Sequence, residues 1–280
     1  MRRVGDFSID TAVEGENGRY VAHLSQDWEI WGPNGGYTAA IALRAAGAAT
    51  PLRRPASFAC HYLSVAEFDA VDLTVTTLRA AKRAASLRVS MTQRERLILE
   101  AQVWAVDDGL QGLQHDEMRM PDVPPPHELK SIDELIAPED RVQRYPFWNN
   151  LDARPIKNWV PWLRRKPSPP VWREWYRFRP RATFDDPFTD AARSLLLIDT
   201  MSWPAACQPY VPEPGYVAPS LDVSVQFHGA APDAEWLLCD ASAPIAQHGL
   251  IGGQARIWSP DGKLLASGGG QLLCRPQPSG

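Results

Sequence analysis

The sequence predicts an α+β protein of two antiparallel sheets, each wrapping one central helix, and three observations predict it. The same order of signals, an apolar helix followed by about four strand-like runs, occurs twice along the chain. Both helices are apolar, the first of them alanine-rich, as expected where a sheet closes tightly around its helix. Proline concentrates at 121–126, 167–170 and 204–219, which leaves two globular halves around a middle segment. The resulting division is 1–120, a connector over 121–170, and 171–280.

Taken in order, Asn34 caps a helix that runs to about Ala49, with Gly47 near its end and Pro51 beyond it. Period-2 and β-rich runs follow at 57–63, 71–78, 86–92 and 97–104. The middle segment holds eleven Lys/Arg between 141 and 181 against Asp152 and Glu174, together with Trp148, Trp159, Trp162, Trp172 and Trp175. That is too aromatic for a disordered linker. It reads either as a connector packed over a sheet with its arginines solvated, or as a set of cations for an anionic ligand. In the second half Asp186 and Pro187 start a helix that carries SLLLIDTMSW to a stop at Pro204. Strands are predicted at 221–227, 236–240, 254–258 and 263–274, with SPDG at 259–262 as a hairpin turn.

The 280 residues are 44% hydrophobic, enough for real cores. A formal net charge of -4 offers no global attraction for nucleic acid. The start, MRRVGDFSID, turns polar after two arginines, and no run approaches a membrane span, so neither signal peptide nor anchor is expected. Cys60, Cys207, Cys239 and Cys274 are scattered, without metal-ligand spacing. A reducing cytoplasm, no metal and no cofactor are the expectation.

The stretch from Trp28 to Ala46 is the most informative. Gly35 and Gly36 fall in a helical first turn, where each glycine costs roughly 0.5–1 kcal/mol relative to alanine. Either they let another chain segment pass closely, or Asn34, Gly35, Gly36 and Tyr37 offer backbone N–H groups and the helix dipole to a ligand oxygen. On the second reading Gly36→Val impairs turnover more than folding.

The motifs NGGYTAAIALRAA, SFACHYL, SLDVSVQFH, EWLLCD and DGKLLASGGGQLL resemble the acyl-CoA thioesterase II family, the TesB-like double hot-dog enzymes. The resemblance implies hydrolysis of an acyl-CoA thioester by water that an aspartate, a serine or threonine, and a glutamine position. It places the aspartate at Asp222, the glutamine near Gln271 and the hydroxyl at Ser242, beside an ungapped match to Ala243. The family's usual spacing puts the glutamine at Gly270, and a shift of one reverses its face on a strand unless a bulge intervenes. A family histidine near Ala59 has no counterpart here.

Independently of the family, Asp222 opens an apolar strand where β-propensity disfavours aspartate. His228 lies six residues on, roughly 20 Å along a straight strand, too far to share a proton with Asp222. His228 and His61 read as structural. Asp199, inside SLLLIDTMSW, reads as a hydrogen-bonded buried carboxylate at a domain contact, or as functional. The basic turns at 79–86 and 163–166 carry either coenzyme A phosphates or solvated charge. Neither a P-loop nor a GxSxG elbow is present. The rivals are a non-catalytic acyl-CoA binding protein and a hot-dog 2-enoyl-CoA hydratase, which needs an Asp/His pair across one site. A homodimer or higher assembly is expected, because sheet or helix surfaces remain for a second chain.

Overall fold

The computed structural model describes residues 3–137, 145–157, 160, 164–212 and 214–277. Trp159, Trp162 and Leu163 of the connecting segment lie outside the described residues.

The first half opens with a short helix, α1 (Phe7–Asp10), whose cap Asp6 accepts the Ser8 N–H, and with the hairpin β1 (Glu14–Glu16) and β2 (Arg19–His23). The helix α2 (Gly35–Ala48) follows, and then β3 (Arg54–Tyr62), β4 (Ala70–Ala80), β5 (Ala84–Gln93) and β6 (Arg96–Val106). A one-turn helix, α3 (Ile132–Leu135), is held by a capping box between Ser131 and Glu134. The second half then repeats the plan. The antiparallel pair β7 (Leu151–Pro155) and β8 (Val171–Phe178) precedes α4 (Pro187–Cys207). After the short β9 (Tyr216–Val217) come β10 (Asp222–Phe227), β11 (Leu237–Gln247), β12 (Leu250–Trp258) and β13 (Leu264–Leu273). A two-residue strand, β14 (Arg275–Pro276), pairs with β9.

One continuous sheet of twelve strands, not two sheets, carries both helices. Its order is β1-β2-β4-β5-β6-β3-β10-β13-β12-β11-β8-β7. Read outward from the β3–β10 seam, the two sides follow the same sequence of corresponding strands, so the duplication seen in the signals is a duplication of topology. The sheets merge because β3 bonds β6 along one edge and β10 along the other, with Val225 opposite Phe58 and Asp222 opposite His61. Neither half leaves an open edge at the join.

All but a few residues of α2 are buried, which is why its periodicity is weak: a helix covered on every side needs no polar face. Its Oδ1-capping residue Asn34 accepts the Tyr37 N–H at 2.9 Å. The helix α4 continues past Pro204 to Cys207 even though proline has no N–H to give to the Thr200 carbonyl, and Gln208 Nε2 donates a hydrogen bond to the Pro204 carbonyl at 2.9 Å. The turn at 259–262 forms as expected, with Gly262 N–H on the Ser259 carbonyl at 3.0 Å and Gly262 at φ +85°.

The two helices lie against each other in opposite directions. A Cβ on Gly36 would stand 2.8 Å from Leu196 Cα and from its carbonyl oxygen, and one on Gly47 would meet the Phe188 ring. Gly36 therefore lets α4 approach the first turn of α2.

Candidate active site

That approach brings Asp199, on α4, to the start of α2. Asn34 Nδ2 donates to Thr200 Oγ1 at 3.1 Å, tying the α2 cap to the residue after Asp199. The Asp199 carboxylate, 7% exposed, accepts the Tyr62 hydroxyl of β3 at 3.1 Å on Oδ1. The Ser220 hydroxyl and the Gly36 N–H lie near enough to favour its ionised form. One acidic group of the second half is thus held by a phenol and a helix terminus of the first.

A cavity of about 1130 Å³ opens at this point. Its wall includes Asn34, Gly35, Tyr62, Asp199, Thr200 and Ser220. Burial drives the Asp199 pKa up from 3.8 to about 6, against the lowering effect of the Ser220, Tyr62 and Gly36 hydrogen bonds, and the negative charge of Asp222 adds a further push upward. A carboxylate with that pKa is ionised at neutral pH and more basic than an exposed one. Burial also holds the Tyr62 phenol well above 10, so it remains a donor.

The predicted positions fall in different places. Asn34 and Gly35 line the cavity. Gly36 contributes its N–H to Asp199, so its missing side chain serves helix contact first. Tyr37 points away: it is fully buried, stacks on Trp28 with ring centroids 5.5 Å apart, and donates its hydroxyl to the Asp10 carbonyl at 2.7 Å.

Asp222, Ser242 and Gln271 are absent from the described lining of the cavity. In β10 the inward residues are Val223 and Val225, so Asp222 shares the outer face with Ser224 and Gln226, where it accepts the Gln271 N–H at 3.3 Å. Gln271 follows the same rule. Leu272 is buried and lines the cavity, which turns Gln271 outward. No bulge corrects this, since Gly252 faces Gln271 and Gly253 faces Gly270 in plain register. Ser242 lies between buried Ala241 and Ala243 and also faces outward, with Val171 and Gln254 opposite it on the flanking strands. Asp222, Ser242 and Gln271 are therefore not brought together around a substrate space.

His228 Nε2 pairs with Ser267 Oγ at 2.8 Å, and His61 is exposed opposite Asp222 on the outer face. No residue of the turn at 79–86 is among those lining the cavity, whereas Arg164 and Arg165 line it together with Arg96 and Arg275. Tyr62 and Ser220 were not singled out by sequence. Both lie inside the family-like motifs, SFACHYL and SLDVSVQFH, but a lone hydroxyl in a strand motif has no signature of its own.

Among the described residues no group of three or more His, Cys, Asp or Glu is placed to hold a metal ion, and no helix is long and apolar enough to cross a membrane.

Comparison with solved structures gives the same architecture along nearly the whole chain. TesB2, an acyl-CoA thioesterase II from Mycobacterium marinum, is 20% identical with a TM-score of 0.77, covering 98% of this chain and 99% of its own. The TesB protein of Mycobacterium avium subspecies paratuberculosis is 21% identical with a TM-score of 0.77, over 98% and 99%. A protein with a hot-dog fold from Alicyclobacillus acidocaldarius is 20% identical with a TM-score of 0.79, over 97% and 98%. At such identity these likenesses establish the fold. Family models go further: one for the acyl-CoA thioesterase N-terminal domain matches residues 24–106, and one for the acyl-CoA thioesterase C-terminal domain matches residues 121–271. With both halves matched, the chain belongs to the acyl-CoA thioesterase family, whose reaction is the hydrolysis of acyl-CoA.

Proposed function

We propose that the protein hydrolyses acyl-CoA thioesters to free acid and coenzyme A with water activated by Asp199 rather than by Asp222. The observation that carries this assignment is the Asp199 carboxylate on the cavity wall, its pKa raised to about 6 and its lone pairs held by groups from both halves. The carboxylate takes a proton from water as the water oxygen attacks the thioester carbon. Ser220 and Tyr62 fix the direction of that carboxylate and of the water beside it. Gly35, at the start of α2 on the same wall, places its N–H and the positive end of the helix dipole where the carbonyl oxygen gains charge. Collapse of the tetrahedral intermediate expels the coenzyme A thiolate, which takes up the proton held by Asp199. The exposed guanidinium groups of Arg96, Arg164 and Arg275 on the cavity wall suit the coenzyme A phosphates. Release of free thiol from acyl-CoAs of several chain lengths, followed with a thiol reagent, tests the reaction. Tight binding with no thiol released sinks it and leaves a non-catalytic binding protein.

Two substitutions separate Asp199 from its neighbours. Tyr62→Phe removes a hydrogen bond that lowers the Asp199 pKa, so the acidic limb of the kcat/KM profile moves to higher pH and kcat falls by roughly 10-fold. An unchanged limb would show that the phenol does not act on the base. Asp222→Asn removes a charge that raises the Asp199 pKa. The limb then moves to lower pH, with kcat at pH 8 within about 3-fold of the parent, as expected for a group that acts only through the field. A 10²-fold loss would return Asp222 to the role of base.

The site is complete within one chain, so assembly is not needed for activity. A homodimer or larger assembly is still proposed, and light scattering that shows only a 31 kDa species excludes it.

A further inference from the structure

The cavity wall includes an indole that the fold holds open instead of burying. Trp31 lines the cavity and is 48% exposed. Two contacts fix its plane: its Nε1–H donates to the Tyr145 hydroxyl at 2.8 Å, and its ring meets that of Trp203 at 70° with centroids 6.4 Å apart. Trp203 follows Asp199 by four residues on α4, so it stands one turn along the same side of that helix and ties the indole to the frame of the site. A ring fixed in this way is ordered before any ligand arrives, and a second aromatic ring that stacks on its exposed surface loses little freedom in the protein.

A cation is anchored beside this platform. Gly32, the next residue, lies so close to Val65 that a Cβ on it would stand 3.2 Å from Val65 Cγ1. The Val65 carbonyl accepts an N–H of Arg96 Nη2 at 2.8 Å, which sets an exposed guanidinium on the same part of the wall. An aromatic plane with a guanidinium at its side matches a nucleotide: the base stacks on the indole and a phosphate takes the guanidinium N–H groups. An alkyl chain suits the place poorly, since it would strip water from the cation and return no hydrogen bond, whereas the buried Ile98, Ile132, Ile136 and Leu272 give it an uncharged wall in the same cavity. We propose that the adenine of coenzyme A stacks on Trp31 while Arg96 holds a phosphate of the same nucleotide. The inference rests on the acyl-CoA reading above and names the residues that recognise the nucleotide end of the substrate.

Calorimetric titration with coenzyme A, and with pantetheine, which lacks the nucleotide, tests the platform without any need for turnover. Trp31→Ala is expected to weaken coenzyme A by at least about 10-fold, and Trp31→Phe, which keeps a ring, by much less. Arg96→Gln is expected to weaken coenzyme A by a factor that shrinks as salt is raised. In thiol release the Trp31→Ala loss appears in KM rather than in kcat, and the preference for an acyl-CoA over the matching S-acyl pantetheine falls by the same factor. Equal binding of coenzyme A by the parent and Trp31→Ala overturns the proposal. So does an equal loss on coenzyme A and on pantetheine, which would place the indole against the pantetheine arm. Absence of thiol release from the parent, with the Trp31→Ala loss on coenzyme A still present, fails the thioesterase reading and leaves the nucleotide site standing.

Discussion

Asp199→Asn is expected to lower kcat by about 10²–10⁴-fold with a much smaller change in KM, because it removes the basic oxygen while leaving the size of the group and part of its hydrogen bonding. The same variant should be more stable than the parent at pH 8. Folding raises the Asp199 pKa from 3.8 to about 6, so between those values the folded chain holds a proton that the unfolded chain has released. Stability contributed at this site is therefore greatest below about pH 4, falls as pH rises towards 6, and is constant above that. The full penalty of ionising the buried group corresponds to roughly 3 kcal/mol, from which the lost hydrogen bonds of the variant subtract. Melting temperatures of parent and variant should thus converge at the acid end, separate between about pH 4 and 6, and keep a constant offset from there to pH 8. Activity runs the other way, rising through pH 6 as the base ionises. Retention of wild-type kcat by Asp199→Asn on a substrate that the parent hydrolyses removes the assignment, and equal pH dependence of the two melting curves removes the raised pKa.

Much of this architecture was legible. The eight strands predicted after the two helices correspond to β3–β6 and β10–β13, since half-buried strands alternate and turn residues bound them. The strands ahead of each helix were missed. β1 and β2 are short and built on residues such as Glu14, Gly15, Glu16 and Arg19, and β8, with Arg173 and Arg177 among four aromatics, reads as a basic aromatic segment rather than as a strand. The site was legible as motifs but not as geometry. Asp222 stood out because aspartate is rare at a strand start, yet the alternation of Val223 and Val225 already consigns it to the outer face. Asp199 carried the better signal, a single ionisable group in SLLLIDTMSW, and what sequence could not supply was its company. Tyr62 lies 137 residues away in the chain and reaches Asp199 only through the packing of the two halves. The glycines at the start of α2 admitted two readings, and the structure uses both: Gly35 borders the cavity and Gly36 admits the neighbouring helix.

Gly36→Val is expected to destabilise the fold by about 3 kcal/mol or more, with lost activity as a consequence of lost structure. A Cβ at this position lies 2.8 Å from the Leu196 Cα and carbonyl oxygen, and backbone atoms in the middle of a 21-residue buried helix cannot swing aside as a side-chain tip can. The β-branch adds two more carbons to the same space, so α4 must move away from α2. That displacement also pulls Asp199 from the Gly36 N–H and from Tyr62. Gly35→Ala is the contrasting variant: its Cβ would stand 3.0 Å from Asp199 Oδ2 and 3.3 Å from the Tyr62 ring, against side-chain atoms and beside the cavity. It should melt near the parent temperature and lose turnover through crowding of the base. Urea unfolding and thiol release on both variants resolve the two roles. A Gly36→Val protein as stable as the parent but slow would restore the first turn of α2 as a ligand site at Gly36 itself, while a Gly35→Ala protein of full activity would remove Gly35 from the reaction.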